Sequence, residues 1–138
     1  MRAVDTNVLV RLLVRDDAEQ AALADEYIAP GAWVSLLVLL ETVWVLTVRY
    51  ERSGAQLART LDLLLDHETL VIHEPEVVKR AVGRFREKPS IGLADLLILE
   101  LAIQHGHGPM GTFDRGLAKL EGTVKLERVR HRQPTRSQ

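Results

Sequence analysis

Apolar residues along this chain gather by turns in short continuous runs of strand type and in longer stretches of helical spacing. Ala3-Val4 is a short β-type segment running into Asp5-Thr6-Asn7, after which Val8, Leu9, Leu12 and Leu13 recur at helical spacing. Asp16-Asp17 followed by Glu19-Gln20 reads as an N-cap with a capping box, opening a helix to about Ala29. Pro30-Gly31 marks a turn, and Ala32-Trp33-Val34 a second strand. Ser35 caps a long apolar helix to about Tyr50, and Ser53 with Gln56 forms a capping box for a helix through Leu65. Leu70-Val71-Ile72 is a third strand, and Pro75 begins a basic amphipathic helix that ends near Lys88. Leu93 to Gln104 is a further helix stopped by Gly106. Pro109 to Phe113 reads as a fourth strand, Arg115 to Leu120 as a short helix, and Val124 to Leu126 as a last strand. Residues 1–130 therefore read as one domain and 131–138 as a polar, flexible tail.

Strands alternating with helices and no long linker predict an α/β three-layer α/β/α sandwich around a central parallel sheet. In such sheets ligands gather outside the carboxyl ends of the strands. Composition narrows the chemistry. The chain of 138 residues contains no cysteine, which excludes disulfides, thiolate metal sites and a cysteine nucleophile, and suits a reducing cytoplasm. Its longest apolar run, Ala32 to Val48, falls short of the ~20 residues that span a bilayer and contains Glu41. A cytoplasmic protein with no membrane partner is expected. The net charge of −1 speaks against a simple cationic nucleic-acid binder. That total mixes two halves, however: residues 1–70 carry 6 basic and 11 acidic side chains, residues 71–138 carry 12 and 8.

Four acids stand out by their context. Asp5 follows the first strand, Glu41 interrupts a long apolar helix, Asp95 lies near the start of Leu93-Ala94-Asp95-Leu96-Leu97-Ile98, and Asp114 ends Thr112-Phe113-Asp114. Carboxylates in apolar surroundings tend to be paired, protonated or bound to metal. An all-oxygen set of this kind suits Mg²⁺ or Mn²⁺. Each acid also has a structural explanation. Asp5 and Asp114 can cap the helices that follow them, Glu41 can pair with an arginine at a rim, and Asp95 can interact with its helix dipole.

Asp5-Thr6-Asn7, Glu41, Ala94-Asp95-Leu96-Leu97-Ile98 and Thr112-Phe113-Asp114 resemble, in this order, the acidic motifs of PIN-domain ribonucleases. The similarity is nearest to the toxin components of VapBC toxin–antitoxin modules and runs from Val4 to about Leu126. It implies Asp5, Glu41, Asp95 and Asp114 as catalytic, metal-holding acids, with Thr6, Asn7 and Thr112 as polar support. It further implies Mg²⁺ (or Mn²⁺) as cofactor and hydrolysis of RNA phosphodiesters by metal-activated water. The partners implied are an RNA substrate, a cognate antitoxin protein, a second copy in a homodimer, and a toxin–antitoxin hetero-oligomer.

Arg84, Arg86 and Lys88 on the basic helix, with Arg115 and Lys119 after Asp114, are the candidate RNA contacts. The alternative for each is an ordinary solvated helix face. His105-Gly106-His107, His67, His73 and His131 read as loop residues, and Trp33 and Trp44 as core or interface residues. With few aromatics in the chain, phosphate contacts and RNA shape are expected to outweigh base stacking. A HAD-type phosphatase would need an aspartate where Asn7 stands, and a response-regulator receiver would place its acids differently. The remaining alternative is a catalytically silent PIN-like module that binds RNA or protein.

Overall fold

The computed structural model describes residues 1–128; the tail read at 131–138 lies outside the described residues. Its elements run in the order β1 (Arg2–Ala3), α1 (Thr6–Val14), α2 (Ala18–Ile28), β2 (Ala32–Val34), α3 (Leu36–Val48), α4 (Gly54–Leu65) and β3 (Leu70–Ile72). They continue with α5 (Pro75–Glu87), α6 (Leu93–Gln104), β4 (Met110–Thr112), a 3₁₀ turn (Leu117–Lys119) and β5 (Thr123–Lys125). The architecture is α/β and every strand pair is parallel, as the alternation predicts.

The parallel strands fall into two ladders, β1-β2-β3 and β4-β5, rather than one continuous hydrogen-bonded sheet. With only two residues, β1 has little backbone to offer on its outer edge. Along β2 and β3 the burial alternates. Ala32, Val34, Leu70 and Ile72 are buried, while Trp33 is half-buried and Val71 exposed. One face of this sheet is thus fully covered, and Trp33 on the other leans against the His73 ring with centroids 5.3 Å apart.

Local signals set the boundaries. The capping box at Ser53 is complete, with Ser53 and Gln56 each bonding the other's backbone. The box expected at Asp17 is half formed: its side chain accepts from the Gln20 N–H at 3.0 Å, and α2 opens at Ala18. Ser35 caps α3 by accepting from the Val38 N–H at 3.0 Å. Pro109 has no N–H to donate, so β4 begins one residue later than the apolar pattern suggests. The short helix expected after Asp114 tightens into the 3₁₀ turn.

The core gathers the inner faces of all six helices on the β1-β2-β3 sheet, with Leu9, Leu39, Leu61, Val77, Leu96 and Leu99 fully enclosed. Helix α5 packs between α4 and α6, and α1 lies against α2 and α3. Among the described residues no buried side-chain polar atom lacks a partner, and no helix is long and apolar enough to cross a membrane.

Candidate active site

Parallel strands deliver their carboxyl ends to one side, and three of the four acids enter from there or from the helix that follows. Asp5 leaves β1 in extended conformation and caps α1, its Oδ1 accepting from the Val8 N–H at 3.0 Å. That bond fixes the carboxylate while its Oδ2 has no hydrogen-bond partner among the described residues. Thr6 beside it is buried and Asn7 exposed. In α3 the helical period turns Leu36, Leu39, Thr42, Val43 and Leu46 into the core. The same period sends Glu41 outward, together with Leu37 and Trp44. Asp95 occupies the first turn of α6, whose N-cap is Gly92 and has no capping side chain. A carboxylate there complements the dipole and the uncapped N–H groups.

Asp114 follows β4 and is committed to its own loop. Its Oδ1 accepts from the Gly116 N–H and its Oδ2 from the Leu117 N–H, each at 3.3 Å. Thr112 Oγ1 in turn accepts from the Asp114 N–H at 3.0 Å. The capping alternatives read for Asp5 and Asp114 are therefore both realised, and neither precludes a further role.

Between α1, α3 and the head of α6 lies an open cleft of about 990 Å³, walled by Asp5, Thr6, Asn7, Glu41, Ala94 and residues further along α3. The structure thus brings Asp5 and Glu41 to one cavity and sets Asp95 one residue beyond its wall at Ala94. Asp114 does not line it. All four acids are exposed rather than buried, and none is in an ion pair among the described residues. Glu41 is thus not the buried carboxylate that its apolar helix suggests. The residue that fits that description is Glu100 in α6, 2% exposed.

For a divalent ion the fit is one of kind. Carboxylate, hydroxyl and amide oxygens around an open cleft are the donors a hard cation prefers. Among the described residues no three His, Asp or Glu side chains are gathered into a metal-holding group. Glu41 and Asp95 both stand in solvent.

The candidate RNA contacts divide. Arg84 Nε lies 2.9 Å from Glu100 Oε1, and Arg86 pairs with Asp62. Lys88 ends α5, and like Arg115 and Lys119 it is exposed and unpaired among the described residues. His105 Nε2 contacts Glu74 Oε1 at 2.7 Å, and His67 Nδ1 accepts from the Thr69 N–H at 3.1 Å. Two further residues of α3 or its C-cap line the cleft: Trp44, expected in a core or an interface and here 56% exposed, and Arg49, to which the sequence pattern assigned no role. They stand three and eight residues beyond Glu41, spacings that share its helical face, so the periodicity that flagged the apolar helix contained the signal.

With this geometry in place, comparison with known proteins adds one match: the PIN domain family profile aligns with residues 2–122. No curated protein matches the chain.

Proposed function

This chain belongs to the PIN domain family, whose fold is of nuclease type, and from that premise we propose that it is a Mg²⁺- or Mn²⁺-dependent endoribonuclease. The observation that carries the reading is that Asp5 and Glu41, from two different elements, face one open cleft at the carboxyl ends of parallel strands. Asp95, at the head of the helix that supplies the cleft's third wall, completes the set.

Within this reading Asp5 is the pre-positioned donor, because its helix-capping bond holds one oxygen and directs the other. Glu41 and Asp95 supply longer-range, adjustable carboxylates, Thr6 and Asn7 at the cleft wall orient them or a bound water, and Thr112 holds the Asp114 loop. Asp114 acts from outside the cleft, its oxygens already partly neutralised by backbone donors. A bound divalent ion would lower the pKa of a water molecule and offset charge on the phosphate oxygens. Lys88, Arg115 and Lys119 are the exposed cations available to the phosphate backbone.

We further propose a cytoplasmic toxin of a type II toxin–antitoxin pair, held by a cognate antitoxin and forming a homodimer. Support comes from apolar side chains left open on the helices. Leu23 lines a groove between α1 and α2, and Leu37 and Ile98 line another between α3 and α6. A silent PIN-like module is the second reading, favoured by carboxylates that are not gathered in threes.

The deciding experiment is RNA cleavage with mapped ends, with Mg²⁺ or Mn²⁺ and with EDTA. Ion-dependent cleavage that Asp5→Asn abolishes is expected. Cleavage unaffected by EDTA or by Asp5→Asn overturns the mechanism, and binding without cleavage identifies the silent module.

A further inference from the structure

The outward face of α3 is unusual for a surface helix. Leu37 is 79% exposed, and Trp44 and Val48 are each 56% exposed, around a single carboxylate, Glu41. An indole held in water forfeits the burial that ordinarily keeps tryptophan inside. Trp44 stands about 4.5 Å along the helix axis from Glu41, and Arg49 about 12 Å. Both line the cleft that holds Asp5 and Glu41. Among the described residues Arg49 has no ion-pair partner.

We propose that Trp44 is a stacking platform for an unpaired nucleobase and that Arg49 holds a phosphate of the same strand, so that single-stranded RNA lies along α3 toward the acids. The inference rests on the ribonuclease reading for the direction of the strand, and on Trp44 and Arg49 alone for its binding. Three considerations carry it. A cleft lined at one end by carboxylates repels a polyanion, so a cation and an uncharged adhesive surface favour entry, and Arg49 and Trp44 supply both along this cleft. An indole in a concave wall meets the face of a base only when that base is outside a helical stack; a duplex offers edges and backbone instead. A second copy of the chain fits this cleft poorly, because a two-fold interface centred on α3 here would set one copy's acids against its partner's. The charge-free groove between α3 and α6 suits a copy better.

The test uses the full-length Asp5→Asn protein in Mg²⁺, with a short unstructured oligoribonucleotide and the same sequence as a duplex. Trp44→Ala is expected to weaken single-strand binding roughly 5- to 150-fold. Trp44→Phe should retain most of the affinity, and Trp44→Leu should behave like the alanine variant, which separates stacking from apolar contact. Arg49→Ala should lower the slope of log K against log salt by about 0.7. In a Trp33→Phe background, the remaining Trp44 fluorescence should quench on binding the single strand. Unchanged affinity in Trp44→Ala, equal performance by leucine and phenylalanine, or equal losses on the duplex overturns the inference. So does a Trp44→Ala protein that loses a dimer yet binds RNA as before. If wild-type protein cleaves RNA with no dependence on Trp44, only this inference fails. If Trp44-dependent binding occurs without cleavage by wild type, only the ribonuclease reading fails.

Discussion

Glu100 offers a sign test of how buried charge acts in this fold. Its side chain is 3% exposed, with Arg84 Nε at 2.9 Å from Oε1 and Arg80 Nε at 3.2 Å from Oε2. The arginines tie α5 to α6, and Arg80 also reaches Gln104. Replacing both by methionine keeps their apolar stems and strands the carboxylate. A buried ion left without its partner costs about 3–5 kcal/mol. The lower end applies here, because Arg80 and Arg84 are 45% and 30% exposed and water enters once the guanidinium groups are gone. That is a large share of the ~5–15 kcal/mol that holds a domain together. Adding Glu100→Leu to the same protein removes the stranded charge and puts an apolar side chain of similar volume against Leu96, Leu97 and their neighbours. The triple variant should regain about 2 kcal/mol or more. Urea unfolding followed by far-UV circular dichroism measures this. With a slope of about 2 kcal/mol per molar, the double variant's midpoint falls by roughly 1.5 M and the triple variant recovers most of it. A triple variant less stable than the double refutes the argument, since it would mean that Glu100 stabilises through contacts other than its two arginines.

Three more outcomes follow from single residues. Asp5→Asn should leave the urea midpoint nearly unchanged, since asparagine caps as well as aspartate, whereas Asp5→Ala should cost about 1 kcal/mol; cleavage should be lost in both. Gly122 has φ +89° and its carbonyl accepts from the Met110 N–H at the start of the β4-β5 pair. An added Cβ would also come within 2.8 Å of Ile103 Cδ1, so Gly122→Ala should lose about 1–3 kcal/mol in the same unfolding assay. The hydrogen bond from Arg15, against some opposing desolvation, holds the Asp25 carboxyl below its ordinary range. Its contribution is therefore present above the unfolded-state value and fades as pH falls through the lower folded-state value. The stability gap between wild type and Asp25→Asn should narrow with acid and with added salt, and a gap that widens would contradict this.

Element order was legible because its signals are local. Ser53 and Gln56, Pro75, Gly106 and the continuous apolar run Leu70-Val71-Ile72 act within a few residues, and the elements they mark are formed. Burial was less legible. Glu41 and Glu100 both interrupt apolar helices, and only helical phase relative to the core separates the outward one from the inward one. Arg84 and Arg86 likewise read as available cations until Glu100 and Asp62, far away in sequence, are brought beside them. The division of the strands into two ladders depends on how much edge a two-residue β1 exposes, which no local pattern records.

The cleft takes its walls from residues near positions 5, 41 and 94, on three helices that the chain supplies far apart in time during synthesis. A growing polypeptide that has produced α1 and α3 has no such cavity until the head of α6 has emerged and docked.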